Sequence, residues 1–397
     1  MAKNDDIKHW LDEYVALADS PRNQKLLHET WSRPNLAYIE NVGVPGKGKI
    51  PIIADPMLAM WAKKMGIKVG KMYVEPETYL SVWLGREIGR FTQIQDDRPL
   101  NKRILVLLGA GFESSLYGAK QVYADDTDPW IDRTPVLQGP EDLDKLQPPD
   151  FSTSGLMPLA HRFYNELSEL VEGHGLTAVF PNWGRSPFAV AMALCGMQQL
   201  LVDMIERPEF VEKLLVFLTQ SAIHYRQARA KFLGTALDKP ELGNDEVNVP
   251  SISPRLYRDL VLPSEKAYAS AFGGLVYWHS CGNVTPMLEL IREIPNITIF
   301  HVGPWTDVAR AASIFGDTTL DICLHSMDVY RATEEAMRAK VTTIVQTCWQ
   351  RGARSFSIRP GILEAFATID EDLASAARWV GVAKKTVAHL TSEKGQS

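Results

Sequence analysis

Residues 275–283, Leu275-Val276-Tyr277-Trp278-His279-Ser280-Cys281-Gly282-Asn283, join an apolar run to a polar end. The run is rich in β-branched and aromatic residues and reads as a buried strand. Gly282-Asn283 breaks it. Side chains alternate faces along a strand, so His279 and Cys281 point the same way where it ends. An imidazole and a thiolate so placed can ligate one Zn²⁺. A core histidine beside an inert buried cysteine is the other reading of the same pair.

Working outward, the chain has 397 residues, 45% hydrophobic and 23% charged, the composition of an ordinary globular protein. That length allows two or three small domains, or one large α/β barrel with additions. A formal net charge of -6 argues against nucleic acid or a membrane surface as partner. No run of about 18 apolar residues is present to span a bilayer. The start, MAKNDDIKHWLDEY, lacks the apolar core of a signal peptide. The four cysteines, Cys195, Cys281, Cys323 and Cys348, are too few for a disulfide framework, and a reducing cytoplasm is the simplest setting.

Residues 1–100 mix short helical patterns, at Ile7 to Ala18 and Pro56 to Met65, with Pro- and Gly-rich turns. Asp55-Pro56 reads as a helix start with Pro in the first position. We expect this stretch to be a helical and irregular extension packed on a catalytic domain spanning 101–397. Arg103 to Gly111 reads as a strand. After about residue 150 strands and helices alternate: strand 176–180, helices 188–205 and 210–232, strand 239–242, helix 253–272, strand 275–281, helix 285–294, strand 297–302, helix 306–315, strand 318–324, helix 328–351, strand 355–359 and helix 371–390. Such units imply parallel strands joined by right-handed crossovers. A doubly wound sheet and a (β/α)₈ TIM barrel both fit. The barrel is favoured because polar residues follow nearly every strand, where barrel active sites lie. No Gly-x-Gly-x-x-Gly follows an early strand, which removes the usual argument for a dinucleotide fold.

The candidate site residues come from those strand ends. Asn182, Trp183 and Arg185 would shape a pocket wall, or Trp183 would cap the barrel core. Asn244-Asp245-Glu246 suits a cationic or hydrogen-bond-donating ligand such as a pterin ring; it equally suits a solvated loop with a helix cap. Asn283 and Trp305 join them as substrate-binding candidates. Asp321, Cys323 and His325 share one face of their strand, while Leu320, Ile322 and Leu324 take the other. A buried inward Asp321 needs a partner, so it is either catalytic or a structural hydrogen-bonding residue. Cys195 and Cys348 lie inside helical patterns and read as packing.

Together these residues resemble the uroporphyrinogen decarboxylase superfamily, and within it the corrinoid-dependent methyltransferase branch. HSCGN at 279–283 carries the resemblance, with SPRLYRDLVLP at 253–263 following Asn244-Asp245-Glu246. GPEDLDKLQPPDF at 139–151, DMIERPEFVEKLL at 203–215 and SFSIRPG at 355–361 add to it. It covers residues 135 to 390 well and the N-terminal part weakly. It implies a barrel, a Zn²⁺ held by His-x-Cys plus a distant cysteine, and methyl transfer with a corrinoid (methylcobalamin) carried on a partner protein. The cobalamin-independent methionine synthases use a similar His-x-Cys site. Two departures matter. The distant cysteine usually follows a Pro-Gly at the last strand, and here Pro360-Gly361 is followed by Ile362. The decarboxylases also carry an Arg-rich motif near the N-terminus that clamps carboxylates, whereas Arg22 and Arg33 are isolated.

The expected function is methyl transfer between a corrinoid-binding protein and a small acceptor or donor. With zinc, bound by His279, Cys281 and either Cys323 or His301, the acceptor would be a thiol. Cys323 offers the softer ligand and His301 the nearer one. Without zinc it would be tetrahydrofolate, its pterin held by Asn244, Asp245 and Asn283, with Asp245 and Asp321 as catalytic residues. The alternatives are a decarboxylase, with Arg185 on the carboxylate and Asp321 as proton donor, and a non-catalytic corrinoid-protein partner.

Overall fold

The computed structural model describes residues 4–37, 42–361 and 363–394. Eleven strands occur among them: β1 (Trp31–Ala37), β2 (Val42–Pro45), β3 (Arg103–Leu105), β4 (Gln121–Val122), β5 (Trp130–Ile131), β6 (Thr177–Val179), β7 (Glu241–Gly243), β8 (Leu275–His279), β9 (Ile297–Val302), β10 (Thr319–Leu324) and β11 (Phe356–Pro360). β7 to β11 form one sheet in chain order, every pair parallel. β8 is buried along its whole length, which is why it reads as a continuous apolar run. In β10 the alternation holds: Leu320, Ile322 and Leu324 join the main core that includes the outer helices.

Single bridges extend this sheet at both edges. Arg185, just past β6, pairs in parallel with Gly243, and β6 pairs in parallel with β3. At the other edge Ile52 pairs with Ile358, flanked by hydrogen bonds from Ile53 N to Ile358 O and from Ile358 N to Pro51 O, both 3.0 Å. The parallel arrangement therefore runs through eight segments: 51–57, β3, β6, β7, β8, β9, β10 and β11. Part of the stretch expected to be an extension thus contributes to the sheet. The helix expected to start at Pro56 starts instead at Leu58, because Pro56 pairs with Leu363 and Asp55 is drawn into an ion pair with Arg98.

No strand pairing joins β3 to segment 51–57 among the described residues. Charged side chains lie there instead. Arg86, Arg90 and Arg98 are buried against Asp55, Glu87 and Asp96, and Arg86, Glu87 and Arg98 line one small cavity with Arg103 and Leu105 of β3. The hairpin β1–β2 lies across the early part of the strands. Trp31, Ala37 and Val42 pack on Ile53, Val276, Tyr277 and Ile299 in a second, smaller apolar cluster.

Among the described residues no single helix is long and apolar enough to cross a membrane. The helix expected over 328–351 is two, Met327–Tyr330 and Glu334–Gln350, because Thr333 caps the second by accepting the Ala336 N–H.

Candidate metal centre

Register places the three residues that meet at the mouth. Gly243 of β7 lies opposite His279 of β8, and the ladder continues one step further as Asn244 N donates to His279 O at 2.9 Å. Asp245 therefore comes level with Cys281, whose N–H donates to Asp245 Oδ1 at 2.9 Å. His279 Nε2 lies 3.2 Å from that same oxygen and 3.3 Å from Cys281 Sγ. These donor atoms of Asp245, His279 and Cys281 lie within 4.8 Å of one another.

Ligand atoms on a tetrahedral zinc sit roughly 3.4 Å apart, given bonds of about 2.0–2.3 Å. The two distances from Nε2 fit that span. A thiolate and a carboxylate also balance the two charges of the ion. The residues present therefore fit a zinc ion. The residue that converges with His279 and Cys281 is Asp245; Cys323 and His301, the expected third donors, are not in that group. Cys323 Sγ contacts Leu324 O at 3.6 Å and is not among the converging atoms. The His301 ring stacks face to face on His279, with centroids 4.2 Å apart and planes at 26°. His301 Nε2 is buried with no hydrogen-bond partner among the described residues. Ile362, where the distant cysteine was expected, lies outside the described residues.

The electrostatics follow from these contacts. Burial opposes charge on Asp245, but the His279 imidazole and the Cys281 N–H hold its carboxyl well below the usual range. Burial likewise opposes charge on His279, and Asp245 overrides it, raising His279 well above the usual value. His301 is pushed well below its usual value by burial, then by His279 and Arg359. Its Nδ1 lies 2.9 Å from Ser280 O. A carbonyl only accepts, so Nδ1 carries the proton.

Beneath the centre lies a second buried group that the sequence reading only partly found. Asp321 faces inward as expected, fully buried. It accepts from Arg359 Nε at 2.8 Å, Tyr277 Oη at 2.7 Å and Ser357 Oγ at 3.3 Å. These three donors tie the Asp321 side chain to β8 and β11. Arg359 and Tyr277 were missed. Tyr277 was counted as part of an apolar run, although it shares its face with His279 and Cys281.

Other candidates are diverted from ligand binding. Asn244 is fully buried; its amide donates to Glu265 Oε1 and its oxygen accepts from Ser186 Oγ at 2.6 Å. Asn182 accepts from Arg226 Nη1 at 2.6 Å, and the buried Trp183 donates to Arg185 O at 2.9 Å. Arg185 pairs with Glu246 and lies 3.7 Å from Asp245 Oδ2, so protein carboxylates already occupy it. Asn283 and Trp305 do reach the opening. With Asn248, Val249, Cys281 and Gly282 they line a cavity of about 570 Å³ beside the centre. Trp305 is 64% exposed there and packs edge-on against His325 at 5.3 Å. Cys195 and Cys348 are packing residues as read, their thiols pushed up to about 12 by burial.

Residues 110–361 match the uroporphyrinogen decarboxylase (URO-D) family. The chain belongs to that family. The family fold is a TIM barrel, and the parallel strand order seen here agrees with it. A methyltransferase from Methanosarcina mazei is similar in structure, with a TM-score of 0.58 over 83% of this chain and 93% of that one, at 15% sequence identity. At that identity the likeness concerns the fold. Among curated proteins none matches the chain. Three buried arginines, Arg86, Arg90 and Arg98, are each held by carboxylates of the chain itself.

Proposed function

We propose that the protein is a cytoplasmic zinc-dependent methyltransferase that exchanges a methyl group between a corrinoid on a partner protein and a small thiol. The observation that carries this reading is the convergence of His279 Nε2, Cys281 Sγ and Asp245 Oδ1 beside an open cavity. Family membership and the likeness to the Methanosarcina mazei methyltransferase support it. When bound, zinc would stabilise an acceptor thiol as the thiolate near neutral pH. Three protein ligands leave a fourth position for that acceptor. Asp245 is fixed by the Cys281 N–H, and His279 by its stacking on His301, so the donors are held before any ligand arrives. Tetrahydrofolate is the less favoured acceptor. Of the residues expected to hold a pterin, Asn244 is enclosed and Asp245 is engaged with His279. Decarboxylation loses its carboxylate clamp to the pairing of Arg185 with Glu246.

Anaerobic incubation of the zinc-loaded protein with methylcobalamin and 2-mercaptoethanol tests the reading. Transfer makes a C–S bond as the Co–C bond breaks, the cobalt keeping the electron pair, and the corrinoid spectrum reports it. We expect turnover that Cys281→Ser abolishes. An unchanged spectrum with the thiol and with tetrahydrofolate, also when a corrinoid-binding protein carries the cofactor, would contradict it.

A further inference from the structure

We propose that the acceptor admitted beside the metal centre is a thiol with a neutral, flat aromatic body, and that Trp305 selects it by stacking. The inference rests on the thiol reading above and names the class of thiol.

The turn 303–307 fixes the indole relative to the centre. Gly303 lies directly on the backbone of Ser280 and Cys281. A Cβ there would stand 2.6 Å from Ser280 O and 3.0 Å from the Cys281 carbonyl carbon, so only glycine allows the approach. Thr306 N donates to Gly303 O at 2.9 Å. The Thr306 hydroxyl donates to Gly282 O at 3.0 Å and accepts from Val284 N at 3.1 Å. Asp307 N donates to Thr285 Oγ1 at 2.9 Å, and its carboxylate caps the helix Val308–Ile314 by accepting from Arg310 N at 2.9 Å. The turn is thus tied to the loop after Cys281 on both sides of Trp305, while the indole itself is left in the open.

Trp305 is the most exposed of the ten tryptophans, and six of the others are buried. Its contact with His325 is edge-on and leaves it 64% exposed, so packing within the chain does not account for an indole at this place. It lines the same cavity as Cys281, so a ligand stacked on it lies beside the converging donors. About 570 Å³ is the size of a small-molecule site and holds a single aromatic ring with room to spare.

The rest of the lining decides the character of the ligand. Asn248, Val249, Gly282 and Asn283 bring no charged side chain, so a carboxylate or an ammonium on the ligand body meets no ionic partner among them. The Asn248 amide is committed to its own loop: Nδ2 donates to Asp245 O at 2.7 Å and Oδ1 accepts from Ser251 Oγ at 3.0 Å. Asn283 Oδ1 accepts from Thr285 N at 3.0 Å. The apolar area offered is that of the indole and Val249. Aromatic pairs gain free energy beyond area burial, so a flat ring is favoured over a saturated one of equal bulk.

Ligand-observed NMR on the zinc-loaded, full-length protein compares phenylmethanethiol, cyclohexylmethanethiol, 2-mercaptoethanol and the cationic thiol thiocholine. We expect phenylmethanethiol to bind most tightly, to lose about 10-fold in Trp305→Ala, and to recover most of that in Trp305→Phe. Binding of 2-mercaptoethanol should change less than about 2-fold, and the thermal midpoint of Trp305→Ala should match wild type, as for other surface substitutions. Equal affinity of wild type and Trp305→Ala for phenylmethanethiol would overturn the role of Trp305. Cyclohexylmethanethiol or thiocholine binding as tightly as phenylmethanethiol would overturn the ligand class. Phenylmethanol, which lacks the sulfur, separates this inference from the reading beneath it. If it binds through Trp305 while no thiol is methylated, the aromatic platform stands and the thiol reading falls.

Discussion

Trp278 donates its indole N–H to Glu265 Oε2 at 3.0 Å, so a carboxylate on the helix Leu262–Ala271 holds the outer face of the strand that carries His279. Tyr257 donates to the same oxygen at 2.8 Å, and Asn244 donates to the other. Glu265 therefore ties β8 to the loop that presents Asp245. It is fully buried, and burial raises its carboxyl to about 7 despite those three bonds. Between about pH 4.5 and 7 the folded protein holds a proton that the unfolded chain has released. Stability is then lost as pH rises through that window, by roughly 3 kcal/mol in all. Chemical denaturation at a series of pH values should show this fall in wild type and not in Glu265→Gln. Parallel profiles for the two would refute it.

Arg185 is the ion-pair partner of Glu246. Burial raises the Glu246 carboxyl and Arg185, paired with Oε1, opposes the rise, while Oε2 has no hydrogen-bond partner among the described residues. Arg185→Met should cost about 1.5–3 kcal/mol, the worth of a hydrogen bond to a charged group. Urea denaturation reads this as a lower midpoint at unchanged slope. A midpoint equal to wild type would show the pair to be dispensable.

Trp31 anchors β1 to the sheet. It is buried on Ile53, Tyr277 and Ile299 and donates its indole N–H to Asp97 O at 2.7 Å. Trp31→Ala should cost about 3–5 kcal/mol, as other buried aromatic truncations do. A loss below 1 kcal/mol, roughly one buried methylene's worth, would mean the hairpin is peripheral.

The strands of the second half were legible because each carries a continuous or alternating apolar pattern; β8 and β10 are the clearest cases. Segment 51–57 was not. It pairs through isolated bridges at Ile52 and Pro56, and two prolines disguise it as a turn entering a helix. The pair His279 and Cys281 could be read from alternation alone. Asp245 was named, but as a ligand-binding or catalytic carboxylate rather than a metal donor. Softness of the thiol pointed to Cys323, whereas position is set by register. Gly243 lies opposite His279, which brings the residue two steps on level with Cys281. No sequence pattern states which residues of neighbouring strands lie side by side. Arg359 went unread for the same reason: its partner Asp321 is on another strand.

Zinc content per chain tests most directly which side chains would hold the ion. Wild type, Cys281→Ser, Asp245→Ala, Cys323→Ser and His301→Ala, purified under reducing conditions without chelator, are compared by elemental analysis. We predict one zinc per chain in wild type and in Cys323→Ser and His301→Ala, with loss in Cys281→Ser and Asp245→Ala. Zinc retained in Asp245→Ala and lost in Cys323→Ser, or no zinc in wild type, would contradict the account.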